Sequence, residues 1–343
     1  MIAPLTPPTY PVAEPLILFP PFHPPRWARN GHVQTLAGMF WRVRAPLPPP
    51  TRLHWVELPD GDRLALHENL PDGWTPSAAC ALLVHGLGGC HRSRYLVRIA
   101  AKLVHRGVRV FRVDLRGCGA GYHHAHHPYH AGRWEDIAAT VETVWRMIEA
   151  APLGVAGFSL GGSLVLRWLG ECPSGAARLA TRALAVNPPV DLAASTQAIS
   201  RAAGGLYDRY FARTLYRHVR GNFQWNPDSP LAQRGRPPAT LIEFDDLFTA
   251  PLCGFGTAEN YYQQASAAPL VPRIETPTLL LSAANDPLIP PETLTALPRP
   301  AAVQLHLAAG GGHLGYLAGA TTDPDRHWLD WRVIEWLTGR DSR

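Results

Sequence analysis

Ser159 lies in Gly157-Phe158-Ser159-Leu160-Gly161, where an apolar run, Leu153 to Phe158, gives way to a helical pattern, Leu160 to Leu169. A serine hydroxyl is a weak nucleophile in water. A strained strand-to-helix turn can expose it beside a base, at the positive end of a helix. A glycine two residues before and two after the serine fits the crowding of such a turn. The pentapeptide alone also fits a tight packing turn, so the rest of the chain must supply the other parts of a reactive site.

Those parts are a base, a carboxylate to orient it, and donors for a developing oxyanion. The serine turn resembles that of α/β-hydrolases, in which the acid and then the histidine follow the serine in the chain. Three histidines lie far enough beyond Ser159. His306 is mid-strand between Leu305 and Leu307, and His327 opens the last helix and reads as a surface residue. His313 follows Gly310-Gly311-Gly312 in a loop after the last strand, which suits a general base. Asp286, in Asn285-Asp286-Pro287 after the apolar Leu279-Leu280-Leu281, can accept from the imidazole and fix its tautomer. Asp191, after the preceding strand, is the rival acid, and Asp245-Asp246 read as structural. His85-Gly86-Leu87-Gly88-Gly89 follows a buried strand. The backbone N–H groups of Leu87 and of Leu160, the residue after the serine, form the expected oxyanion pair. His85 itself reads as structural.

The elements that must position these residues alternate. Strands are expected at 53–57 and 63–68, as an antiparallel pair, and at 81–84, 108–113, 153–158, 183–186, 278–282 and 303–307. Helices are expected at 95–104, 134–148 and 328–337. Such alternation predicts an α/β fold, a mostly parallel central sheet with helices on both faces. Residues 191–268 break the pattern and read as an inserted helical cap over the carboxyl ends of the strands. Residues 1–50 read as a proline-rich N-terminal arm with one ordered element near Trp27 to Phe40. The core is then 51–190 with 269–343.

Composition excludes several classes. Charged residues make up 17% of the 343, too few for a disordered chain, and the net charge of +5 is spread without a basic block, so no nucleic-acid partner is expected. Cys80, Cys90, Cys118, Cys172 and Cys253 are odd in number and contain no C-x-x-C pair. That argues against a disulfide framework or structural zinc and for a cytoplasmic location. No apolar run approaches a membrane span. The histidine-rich stretch Tyr122-His123-His124-Ala125-His126-His127 reads as an exposed loop with no neighbouring acid to complete a metal site. No metal and no cofactor is expected. Arg209, Arg213, Arg217 and Arg220 recur at helical spacing opposite Phe211, Leu215 and Val219. That is a cap helix with a solvated outer face, or one able to touch an anionic membrane.

The chain resembles the YheT-like branch of the α/β-hydrolase superfamily over roughly residues 26–338. Besides the serine turn, the resemblance rests on Asn30-Gly31-His32-Val33-Gln34-Thr35, Arg116-Gly117-Cys118-Gly119 and Tyr129-His130-Ala131-Gly132. Phe244-Asp245-Asp246, Gly254-Phe255 and Tyr261-Tyr262 with Ser266 extend it into the cap. The resemblance implies a serine hydrolase of carboxylic esters of short to medium acyl chain, with Ser159, Asp286 and His313 as its triad. Acyl transfer from an acyl-CoA to an alcohol and phospholipase-like hydrolysis use the same triad. A ligand-binding homologue without turnover is the alternative outside catalysis.

Overall fold

A computed structural model describes residues 19–40, 51–221, 236–319 and 321–339. Eight strands form one sheet: β1 (Arg52–Glu57), β2 (Arg63–Asn69), β3 (Cys80–Val84), β4 (Arg109–Asp114), β5 (Leu153–Phe158), β6 (Arg182–Val186), β7 (Thr278–Ala283) and β8 (Val303–Ala308). Their spatial order is β1-β2-β4-β3-β5-β6-β7-β8. β1 and β2 are antiparallel, as are β2 and β4, and every pair from β4 to β8 is parallel. The α/β sheet expected from the alternation is therefore present, with each strand within two residues of its expected ends.

Strands buried on both faces must be apolar at both parities. In β3, Leu82 and Val84 enter one core while Ala81 and Leu83 enter the other. In β5, Leu153 and Val155 face the first core, and Ala156 and Phe158 the second. Full burial of side chains such as Val155 and Phe158 stabilises by about 1.5–3 kcal/mol each.

The helices follow in chain order: α1 (Gly31–Phe40), α2 (Arg94–His105), α3 (Trp134–Met147), α4 (Leu160–Glu171), α5 (Pro173–Leu179), α6 (Leu192–Arg201) and α7 (Leu206–Gly221). After them come α8 (Leu241–Phe244), α9 (Ala250–Leu252), α10 (Ala258–Ala265), α11 (Pro291–Thr295) and α12 (Trp328–Thr338). α3 and α4 cover the first face through Ile137, Val141 and Leu164. α2 and α12 cover the second through Leu96, Ile99, Leu329 and Trp336. On that second face the lone lysine, Lys102, joins Arg98 around the buried Asp330 carboxylate, with N–O distances of 2.7 and 2.6 Å.

α6 to α10 lie between β6 and β7 as a helical cap whose Leu192, Leu215, Phe244 and Phe248 join the first core. A π-helical turn, Asp245–Thr249, links α8 to α9. Of the N-terminal arm, residues 19–40 are described, and 1–18 and 41–50 lie outside the described residues. Phe19 and Phe22 pack edge-on against Trp328, and α1 lies against the loop after β8. Among the described residues no helix is long and apolar enough to cross a membrane.

Candidate active site

The turn between β5 and α4 places Ser159 at φ 52°, ψ −123°, a region a non-glycine residue enters at about 1–3 kcal/mol. Neighbouring backbone fixes it there. Ser159 N–H donates to Val186 O at 2.8 Å, and Gly162 N–H donates to Ser159 O at 2.8 Å. The flanking glycines are steric requirements. A Cβ on Gly157 would collide with the Gly161 carbonyl, and one on Gly161 would lie 2.5 Å from His85 O and 2.6 Å from Val84 O.

The fold brings the three side chains singled out above into one hydrogen-bonded line. Ser159 Oγ–H donates to His313 Nε2 at 2.9 Å, and His313 Nδ1–H donates to Asp286 Oδ2 at 2.9 Å. Asp286 is buried, at 8% exposure, and its other oxygen accepts the N–H groups of Leu288 and Ile289 at 2.8 and 3.2 Å. The ring can thus take the serine proton at one nitrogen while a fixed carboxylate balances the charge at the other.

Sequence reasoning missed the residues that hold this line. Asn187, just past β6 at φ 46°, donates from Nδ2 to Asp286 Oδ2 at 2.6 Å and accepts from Tyr316 OH at 3.0 Å. Thr35 Oγ1 accepts the His313 N–H at 2.9 Å and donates to Gly31 O at 2.8 Å. Gln34 donates to Ala28 O and Leu317 O and accepts from Leu317 N, all within 3.0 Å. Asn285 Oδ1 accepts Gly312 N–H at 3.0 Å, and its Nδ2 donates to Arg29 O at 3.1 Å. α1 and its preceding turn therefore form the floor of the histidine loop. The Asn30 to Thr35 segment was the available signal, but nothing in its local pattern says what it touches.

Leu87 and Leu160 both line the cavity beside Ser159 and His313. Among the described residues neither N–H meets a protein acceptor, as donors reserved for a ligand oxygen would not. The Leu87 loop is braced from two sides. Gly86 N–H donates to Tyr95 OH at 3.1 Å, and Gly88 N–H to Tyr129 OH at 2.9 Å. His85 braces it from beneath, donating from Nδ1 to Gly86 O at 2.8 Å and accepting Leu115 N–H on Nε2 at 3.1 Å. Burial lowers its pKa, so this wholly buried ring stays neutral.

Above the serine a cavity of about 930 Å³, open mouth included, runs beneath the cap. Its wall is mainly Leu192, Ile199, Phe211, Leu215, Phe244 and Phe248, with Tyr261 and Tyr262. α7 turns Phe211, Leu215 and Val219 inward and leaves Arg209, Arg213, Arg217 and Arg220 exposed. Asp245 is the acidic residue among the lining side chains. It accepts from Thr249 Oγ1 at 2.6 Å and Tyr262 OH at 2.7 Å, and burial pushes its pKa up to about 7.

Other expectations sort as follows. Asp191, the rival acid, caps α6 by accepting Ala194 N–H at 2.9 Å. His306 packs against Phe19 and Trp328. His327 is not a surface residue. It is 5% exposed, because the segment before α12 folds under itself and pairs with Leu317. Trp27 is 53% exposed, and His32 stacks on Tyr207 of the cap. His123, His124 and His126 are exposed, as expected. The expectation that no acid stands near this stretch fails, since the turn after β1 brings Asp60 and Asp62 to His127. Arg116 Nη1 already bonds both carboxylates at 2.7 and 2.5 Å, so a guanidinium fills the place of a cation. A second cluster, His67, His91 and Asp114, is buried. Asp114 Oδ2 accepts directly from both rings at 2.9 and 2.7 Å, which makes it a closed hydrogen-bond group.

A mostly parallel sheet with a serine on a strained turn after β5, an acid after β7 and a histidine after β8 defines the α/β-hydrolase class. Comparison with known proteins agrees. A family model described as "Serine aminopeptidase, S33" matches residues 75–315, and YheT of Escherichia coli (strain K12), provisionally assigned as an esterase, is 31% identical over 92% of this chain and 93% of its own length. The chain belongs to this α/β-hydrolase family. Phospholipase ABHD3 of Homo sapiens is 25% identical over 87% of this chain and 74% of its own. Monoacylglycerol lipase of Saccharomyces cerevisiae is 28% identical over 68% and 54%. Among solved structures, the esterase Pf2001 of Pyrococcus furiosus aligns with a TM-score of 0.53 at 16% identity, over 84% of this chain and 91% of that one. At that identity the likeness speaks for the fold.

Proposed function

We propose that the protein hydrolyses carboxylic esters through an acyl-enzyme on Ser159. The observation that carries this reading is the unbroken Ser159–His313–Asp286 line, two hydrogen bonds of 2.9 Å, on the floor of an apolar cavity. His313 Nε2 takes the Oγ proton as Oγ attacks the ester carbonyl. The oxyanion is held by the N–H groups of Leu87 and Leu160, each such donor worth ~10²–10³ in rate. His313 then gives the proton to the departing alkoxide, and the C–O bond to the alcohol breaks. A water loses its proton to the same nitrogen, attacks the acyl carbonyl and releases the acid, returning the proton to Ser159. The Asp286 carboxylate balances the imidazolium in both steps.

The lining favours esters with an apolar acyl portion over peptides. An aminopeptidase must hold a free ammonium, and the acidic residue on the wall, Asp245, already has a hydroxyl donor on each oxygen. Relatives named phospholipase and monoacylglycerol lipase point to lipid-like esters, of which short- to medium-chain acyl groups suit this apolar cavity. The test is a p-nitrophenyl ester series of increasing chain length beside the matching p-nitroanilides. Ester turnover with a maximum at short to medium length is expected. Faster anilide cleavage would overturn the ester reading. Free acid should exceed ethyl ester when ethanol is present. The reverse would make the protein an acyltransferase.

A further inference from the structure

His130 is a polar group on the cavity wall that the ester mechanism leaves unused. It is 8% exposed and lines the cavity. Its Nδ1 accepts the Gly132 N–H at 3.1 Å, which places the proton of the neutral ring on Nε2. Among the described residues no protein group accepts from that Nε2–H. Phe255 and Tyr261 meet the ring edge-on, with centroids 5.1 and 5.9 Å away, and so confine it. Burial, with the charges of Arg133, Arg116 and Arg167, brings its pKa down to about 3, so it is a fixed neutral donor at working pH. The preceding residue, Tyr129, braces the Leu87 loop through Gly88, which ties this donor to the oxyanion end of the cavity.

This N–H on the cavity lining meets no described protein acceptor, and a ligand oxygen would satisfy it. The nearby arginines favour an acceptor, yet no Lys or Arg is among the described lining side chains: Arg116 is paired with Asp60, Asp62 and Asp136, Arg167 with Glu171, and Arg133 with Asp60. A charged ligand would therefore find no free cation on a wall of this kind. We propose that His130 Nε2–H binds a second, uncharged oxygen of the substrate. The preferred esters then carry a ketone, ether or further ester oxygen in the portion that enters the cavity. This rests on Ser159 being the nucleophile.

The experiment compares kcat/KM for p-nitrophenyl alkanoates of one length with keto analogues in which a carbonyl replaces each methylene in turn. It uses the wild type, His130→Phe and His130→Gln. Phe keeps the aromatic contacts and removes the donor. Gln offers both an acceptor for Gly132 and a donor. At one or two positions the wild type and the Gln variant should prefer the keto ester by about 3- to 10-fold, and the Phe variant should lose that preference. A wild type without preference at any position overturns the proposal before any variant is made. So does an equal preference in all three proteins. Labelling of Ser159 by a fluorophosphonate in the same samples separates these outcomes from failure of the acyl-enzyme reading, in which neither labelling nor turnover occurs.

Discussion

Asn187 extends the reactive line by two members, so that it runs Tyr316, Asn187, Asp286, His313, Ser159. The amide donates to Oδ2, the same carboxylate oxygen that accepts from the imidazole, and the tyrosine hydroxyl fixes which end of the amide points at it. Removing the amide takes away one of the two side-chain donors to Asp286 Oδ2 and weakens the hold on the oxygen that orients His313. The expected result for Asn187→Ala is a fall in kcat of about 10- to 100-fold with KM changed by less than about 3-fold, read from steady-state ester hydrolysis. Tyr316→Phe leaves the amide in place and should fall by less. Equal kcat in Asn187→Ala and wild type contradicts this positioning role. Asn187 was not legible in the sequence. After Val186 it reads as an ordinary strand-end turn residue, and its partner Tyr316 stands 129 residues on. The serine and the acid were legible because each follows an apolar run that forms a buried strand, and the histidine because it follows a glycine-rich loop after the last strand.

At the scale of elements, α1 decides how firmly the base is held. Gly312 and Gly315 let its backbone meet the histidine loop directly: a Cβ on Gly312 would strike Gly31 O, and one on Gly315 would strike Gln34 O. Thr35 closes the contact by accepting the His313 N–H. Thr35→Val keeps the shape but leaves that N–H unsatisfied, at about 1–3 kcal/mol. Its kcat should fall about 10-fold, its melting temperature should drop, and Thr35→Ser should restore both. If Val and Ser behave alike, the hydroxyl is not what holds the loop. The core strands and helices were legible because their periodicities are local. The contact of α1 with a loop some 280 residues later was not, since no pattern within either segment encodes the pairing. Within the cap, α7 was legible from the spacing of its arginines and apolar residues, whereas α8, α9 and the π-helical turn are too brief for a hydrophobic period to stand out.

For the whole molecule, Asp245 couples the cap to pH. Its folded pKa of about 7 lies above the unfolded value of 3.8, because burial disfavours the charged form, and Asp246 and Asp208 add like charge. The folded state therefore binds this proton more tightly than the unfolded one. The stability it contributes is present below about pH 4 and is lost as pH rises towards 7. Relative to Asp245→Asn, the wild type should lose on the order of 2–4 kcal/mol between pH 4 and 8. Denaturation of both proteins across that range checks the sign, and a flat difference curve removes Asp245 as the cause. Cap loosening on this scale would also open the cavity, so activity on long acyl esters should respond to pH in the same interval.

The central claim is that Ser159 is the nucleophile, and Ser159→Ala tests it most directly. The measurement is kcat/KM for p-nitrophenyl ester hydrolysis by the folded variant, with fold verified by circular dichroism. Replacing the nucleophile of such a line removes most of the rate, by about 10⁴-fold or more. The expected result is a loss of that size together with loss of fluorophosphonate labelling. Turnover equal to the wild type in a folded Ser159→Ala protein would contradict the account.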